Sequence, residues 1–314
     1  MHHENHTVIL DFFLLGFQNL RLFRIPFFIL LFSIYIITIT GNLFIVLLVS
    51  LSHTLHTPMY FFLGQLSLCD TLLSMSVVPN MLDVILKEGK TISLLGCVTQ
   101  LQMFGWCCIA ECYILTVMSC DRYLAICKPL HYSSIMDFKM CLYLVMLSWS
   151  LGFLFSIITC VLIYELEFCN HNIIDHFFCD FLPIVDLSCS DTSVVDLEVF
   201  MVTPFILLFP FVFVIVTYIY IFLTILGISS ITGRQKAFST CSSHLTVVCL
   251  YYGTLISIYL SPSKGYSLNI NKITSLFYTM VTPLFNPVIY SVRNQDIRKE
   301  LNVLIREKEH GCFY

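Results

Sequence analysis

The sequence predicts an all-α membrane protein, a bundle of seven transmembrane helices, on three observations. Of its 314 residues 58% are hydrophobic and only 11% charged, against about 25% charged in a soluble domain. Its mean hydropathy is +0.86, so most of the chain has lipid for a solvent. Seven stretches reach the roughly 20 apolar residues that a bilayer crossing needs.

The spans fall at 25–52, 57–86, 91–126, 140–164, 199–233, 237–260 and 273–292. Backbone polar groups in lipid must be satisfied within the segment, so each is a helix. The first, fourth, fifth and seventh carry no charge; the sixth carries only His244. Pro79, Pro204, Pro210, Pro283 and Pro287 inside spans predict kinks, with neighbouring helices re-satisfying the freed carbonyls. One domain, 1–314, is expected, with an N-terminal segment at 1–24, the bundle at 25–292 and a tail at 293–314. No repeat or inter-domain linker is visible. The tail places Ile297, Leu301, Leu304 and Ile305 at helical spacing against basic residues, which predicts a short amphipathic eighth helix along the membrane face.

Orientation follows from Lys and Arg. With the N-terminus outside, the cytoplasmic face holds ten (Arg122, Lys128, Lys139, Arg234, Lys236, Arg293, Arg298, Lys299, Arg306, Lys308) and the outer face six (Arg21, Arg24, Lys87, Lys90, Lys264, Lys272). Asn5-His6-Thr7 is a glycosylation acceptor, useful only outside. The segment 165–198 carries eight carboxylates, no Lys or Arg, and Cys169, Cys179 and Cys189; spaced cysteines in a polar loop belong on the oxidising side. Cys97, at the outer end of the third span, is a fourth partner, and four cysteines allow three pairings. Met1 to Glu4 lack the basic start of a cleavable signal, so the first span is expected to direct insertion. A net charge of −4 leaves no basic excess to hold nucleic acid.

Charges inside a bilayer are costly and usually functional. Asp70 and Glu111 lie mid-span. Two carboxylates in one dry interior repel unless a cation joins them, which points to a structural sodium ion; the alternative has each neutral and hydrogen-bonded to a neighbour such as Asn42 or Asn286. Asp121-Arg122-Tyr123 closes the third span, where the acid can hold the arginine in a releasable pair. His244 is either a titrating switch or an interhelical hydrogen-bonding group. Phe104, Gly105, Cys108, Ile109 and Cys112 share one face of the third span. With Val202, Thr203 and Ile206 on the fifth and Tyr252, Leu255, Ile258 and Tyr259 on the sixth, they outline an apolar ligand pocket. It is expected to have no Lys, Arg or carboxylate near its mouth, and so to suit neutral ligands. His176-Phe177-Phe178-Cys179-Asp180 has the look of a metal trio, but Cys179 in a disulfide is no ligand. No nucleophile–base arrangement or phosphate loop appears, so no enzyme and no cofactor are expected. An odd span count without repeats counts against a transporter.

Five motifs then carry a resemblance: Gly41-Asn42 in the first span; PMYFFL at 58–63; MSCDRYLAICKPLHY at 118–132; KAFSTCSSH at 236–244; and PLFNPVIYSVRN at 283–294. In this order they resemble the vertebrate odorant receptors, rhodopsin-like G-protein-coupled receptors. The resemblance implies disulfides Cys97–Cys179 and Cys169–Cys189, a sodium site at Asp70 and Glu111, and Arg122 engaging the G protein with Tyr218 and Tyr290 as switch tyrosines. It further implies a plasma-membrane receptor for small volatile odorants, acting through the stimulatory olfactory G protein and cyclic AMP. The chain departs from the family pattern at Ser119-Cys120, Gly64-Gln65, Thr217 and Tyr251, positions that bear on tuning and basal activity.

Overall fold

A computed structural model describes residues 11–18, 20–169, 172–259, 268–293 and 297–300. Among them, five helices are long and apolar enough to cross a membrane: Arg24–Leu51, Pro58–Lys87, Leu94–Cys127, Phe138–Tyr164 and Ser193–Gly227. The sixth rod is Ile231–Tyr259, with a shorter apolar stretch at Cys241–Ile256. The seventh is assembled from Leu268–Leu276, a π-helical turn Phe277–Val281 and Thr282–Arg293. The rods close a ring, the first packing against the second and the seventh, with the third touching the second, fourth, fifth and sixth. At 34 residues the third is the longest α-helix without a π-turn among the described residues, about 51 Å at 1.5 Å per residue. It outruns the roughly 30 Å hydrocarbon core and projects at its ends.

Local chemistry sets the boundaries. Ser93 accepts from the Gly96 N–H at 3.1 Å to open the third helix, and Asp137 accepts from the Met140 N–H at 2.8 Å to open the fourth. Pro58 opens the second in its first turn, where no N–H is missed. The fifth and sixth spans differ from expectation. The fifth begins at Ser193 and stops at Gly227, not at 199 and 233. Ser230 accepts from the Gly233 N–H at 3.2 Å and starts the sixth there, while Arg234 donates to the carbonyls of Leu226 and Ile228 (3.2 and 3.1 Å) and closes the fifth. Hydropathy alone cannot see a break made by side-chain caps within an uncharged run.

Two of the span prolines show how the backbone adapts to them. Pro204 opens a π-helical turn, Pro204–Leu208, inside the fifth span. Pro287 has no N–H for the carbonyl of Pro283 one turn back, and the Asn42 amide from the first span donates to it instead, at 2.9 Å.

At one end of the ring a small sheet closes the bundle, an element the sequence does not announce. Strand β1 (Asp11–Leu14) lies between β2 (Lys90–Ser93), antiparallel with Phe12 opposite Ile92, and β3 (Ile173–Ile174), parallel with Phe13 opposite Ile173. Phe12 and Leu14 alternate inward and are fully buried, and Phe12 meets Phe168 edge-on at 5.0 Å. Lys272, 2% exposed, donates to the carbonyl of Gly16 at 2.8 Å and pairs with Asp175, tying the seventh helix to strand and loop. At this end Cys97 is bonded to Cys179 and Cys169 to Cys189.

Among the described residues the interior has a small apolar cluster of Ile221, Ile225 and Cys241 and two large ones. One, around Phe12, Val77, Phe104, Phe177 and Tyr278, lies at the disulfide end. The other, around Ile45, Leu66, Leu115, Val247 and Tyr290, lies toward Arg122. Outward faces carry Leu47, Phe209, Ile219 and Leu223, more than half exposed, a surface suited to lipid.

Candidate ligand cavity and signalling end

A cavity of about 580 Å³ opens within the bundle just below the loop that carries Cys179. Its third-span wall is Leu101, Phe104, Gly105, Cys108, Ile109 and Cys112, one helical face. The fifth span contributes Val202, Thr203 and Ile206, and the sixth Leu255. The expected Tyr252 does not line the cavity; Tyr251 does. Residues one apart on a helix point about 100° apart, so Tyr251 shares the face of Leu255 one turn on, and Tyr252 turns toward Phe211, 4.9 Å between rings. The side chains of Ile258 and Tyr259 lie outside the described residues. The fourth span adds Ser156, Thr159 and Cys160, and the seventh adds Tyr278, none of them singled out in the sequence.

The π-turns serve this wall. In the fifth span the Phe205 carbonyl accepts from the Tyr113 hydroxyl at 3.0 Å, and the Ile206 carbonyl from the Cys112 thiol at 3.1 Å. In the seventh, Tyr278 reaches Cys108 Sγ at 2.6 Å, and Tyr251 donates to the Cys108 carbonyl at 2.7 Å. The loop is held down by its disulfide and by the Cys179 N–H, which donates to Gln100 Oε1 at 3.0 Å.

Two carboxylates line the cavity, Asp180 and Glu198. This corrects the expectation of a mouth without acids. Glu198 lies one turn before Val202 and shares its face; a fifth span taken to start at 199 leaves it out. Asp180 follows the bonded Cys179, which fixes it at the cavity that Leu101 and Phe104 also line. Burial pushes the Asp180 carboxyl up to about 6, although it accepts from the Phe181 N–H at 2.8 Å. His176 in the same loop is pushed down to about 3, by burial first and by nearby Lys272 second. With Cys179 bonded, the trio around it holds no metal, and no cluster of three or more His, Cys, Asp or Glu occurs among the described residues.

Between the two apolar clusters sits a polar layer. Asp70 and Glu111 are both buried, and Asn286 of the seventh span donates to Asp70 Oδ2 at 2.8 Å. Asp70 Oδ1, Glu111 Oε1, Ser74 Oγ and Asn286 Oδ1 are buried with no hydrogen-bond partner among the described residues. Four such oxygens, two from acids, fit a hard monovalent cation.

At the far end Arg122 pairs with Asp121, Nε to Oδ2 at 2.9 Å, and the Tyr132 hydroxyl donates to Asp121 Oδ1 at 2.8 Å. Asp121 is fully buried and the Arg122 side chain 11% exposed. Tyr218 of the fifth span and His244 of the sixth are joined, hydroxyl to Nδ1 at 2.6 Å, which is the interhelical role for His244. Tyr123 stacks edge-on against Tyr220, 6.1 Å between rings. Tyr290 is buried, and its hydroxyl has no described hydrogen-bond partner. Asn5 lies outside the described residues. Of the expected eighth helix, 297–300 are helical, with Ile297 buried; the rest lies outside the described residues.

A ring of seven helices with a ligand-sized hollow at one end and a held arginine at the other is the architecture of a membrane receptor. A family model described as Olfactory receptor matches residues 31–308. The chain is 44% identical over 314 residues to Olfactory receptor 5G26 of Mus musculus, covering 100% of this chain and 98% of that one. It is 43% identical over 305 residues to Olfactory receptor 8D4 of Homo sapiens, 97% of each chain, and 44% over 308 residues to human Olfactory receptor 5M1, 98% of each. The chain belongs to the olfactory receptor family, multi-pass membrane receptors and not enzymes, with odorant ligands and G-protein coupling implied by that membership.

Proposed function

We propose that this protein is an odorant receptor that binds small, mostly apolar volatile molecules in the cavity between the third, fifth and sixth spans and activates the stimulatory olfactory G protein, raising cyclic AMP. The cavity of about 580 Å³, walled by Phe104, Ile109, Val202, Ile206 and Leu255, carries the reading. Its volume is that of a small-molecule site and its wall is chiefly apolar. The disulfide end faces outward at the plasma membrane and the Arg122 end faces the cytosol, which agrees with the Lys and Arg bias and the cysteine-rich loop. Asp70 and Glu111 hold a sodium ion, with Ser74 and Asn286 completing an oxygen set.

An odorant that favours the active arrangement shifts the population by its difference in affinity for the two states. Tyr218 and His244 join the fifth and sixth helices beside Arg122. Parting of that contact lets the sixth helix swing and Arg122 leave Asp121 for the G protein. A broad odorant panel in cyclic-AMP reporter cells, with an empty-vector control, tests this. The Arg122→Ala receptor, at equal surface level, should retain binding and lose cyclic AMP; full signalling from it refutes the assignment.

A further inference from the structure

The ionisable side of the cavity has a single sign. Asp180 and Glu198 line it, and among the described residues no Lys, Arg or His does. Neither acid has an ion pair among the described residues; Lys272 is taken by Asp175. Asp180 has a structural duty, capping the short helix Phe181–Val185. Glu198 has less to do. Its Oε1 accepts from the Thr159 hydroxyl at 3.0 Å, while its Oε2 is buried without a partner among the described residues. Thr159 lines the same cavity, so this contact holds the carboxylate at the wall.

A carboxylate removed from water without a cation is costly, and it either takes a proton or recruits a positive group. Among the described residues no such group lies at this wall, whereas a ligand can bring one. A small alkyl amine resembles a lysine tip and is protonated at neutral pH. Its ammonium satisfies Oε2 with a short charge-assisted hydrogen bond. Its hydrocarbon part finds Val202 and Ile206 along the same helical face and Ile109 on the third span. An alcohol of the same skeleton gives only a neutral bond, and a carboxylic acid meets two like charges.

We propose that the cavity is tuned to small amines, with Glu198 as the anchor of the ligand's ammonium group. This rests on the odorant-receptor reading above and narrows its ligand class.

The test uses matched sets of one carbon skeleton, such as pentylamine, pentan-1-ol and pentanoic acid, on reporter cells expressing the full chain, with surface level measured by an epitope tag. Wild type should respond to the amine at roughly 10-fold lower concentration than to the alcohol, and least to the acid. Glu198→Gln should shift the amine response by about 10- to 100-fold, the worth of one charged hydrogen bond, and leave the alcohol within about 3-fold. Neutral members signalling while amines stay silent in wild type overturns the proposal and leaves the odorant-receptor reading standing. Equal shifts for amine and alcohol in Glu198→Gln at matched surface level make Glu198 structural and also overturn it. Silence of wild type to every member while a broad odorant panel still signals sinks the amine proposal; silence to both sinks the two together. The wild-type ranking decides even if the variant fails to reach the surface.

Discussion

At residue scale the loop over the cavity holds two groups whose titrations oppose each other. His176 is buried and neutral, its Nδ1 accepting from the Phe178 N–H at 3.4 Å, with a folded pKa of about 3. An unfolded histidine titrates near 6.5. Between those values the unfolded chain binds a proton that the folded one refuses, so stability falls as pH drops through the window. Asp180 runs the other way: raised to about 6 from about 3.9 unfolded, it returns stability as pH falls from 6 toward 4. From pH 7 to pH 5 the histidine costs about 2 kcal/mol and the aspartate restores about 1 kcal/mol. Thermal unfolding of purified receptor should therefore show a modest loss across this range. His176→Gln should reverse that slope, leaving the gain from Asp180 alone, and Asp180→Asn should steepen the loss. Unchanged slopes in both variants would mean that the loop is open to water.

At element scale the bundle depends on close approaches that only small residues permit. A Cβ added at Gly152 would lie 2.8 Å from the Trp106 carbonyl oxygen and 3.0 Å from the Ala110 nitrogen, backbone atoms that cannot swing aside. Trp106 is itself fixed there, its indole N–H donating to the Trp149 carbonyl at 2.9 Å. Gly152→Ala should cost about 1–3 kcal/mol by overpacking, and Gly152→Val more, read as lower surface level and lower melting temperature. The alternative outcome, a neutral Gly152→Val, would place the third and fourth helices further apart than they stand. The spans were legible in sequence because lipid imposes length and apolarity on every crossing. Strand β1 was not, because its signal is two inward residues, Phe12 and Leu14, in a four-residue element whose partners come from distant loops. Glu198 was lost through a boundary placed six residues late. Tyr251 and Tyr252 are adjacent aromatics, and either one completes a helical face with Leu255 and Ile258, at i, i+4, i+7 or at i, i+3, i+6, so periodicity does not choose between them. On the third span the spacing i, i+1, i+4, i+5, i+8 from Phe104 to Cys112 leaves a single helical face to choose.

At the scale of the whole molecule, the polar layer joins the same helices that the apolar clusters pack together on either side of it. Asp70 comes from the second span, Glu111 from the third and Asn286 from the seventh, and Asn42 of the first reaches the seventh through the Pro283 carbonyl. A cation here would be held by oxygens from several helices at once, so it would stabilise the arrangement that assembles them and not one in which they separate. With sodium about four-fold above its dissociation constant the gain is about 1 kcal/mol. Purified receptor should melt at higher temperature in sodium chloride than in choline chloride at equal ionic strength. Glu111→Gln should remove that difference without loss of fold, since a neutral amide relieves the two-acid repulsion as it deletes a ligand. Sodium-dependent melting that persists in both Glu111→Gln and Asp70→Asn would place the cation elsewhere. If wild type melts alike in both salts, the orphaned oxygens are met by protons and water, and the layer is then a plain hydrogen-bonded seam between the cavity and the Arg122 end.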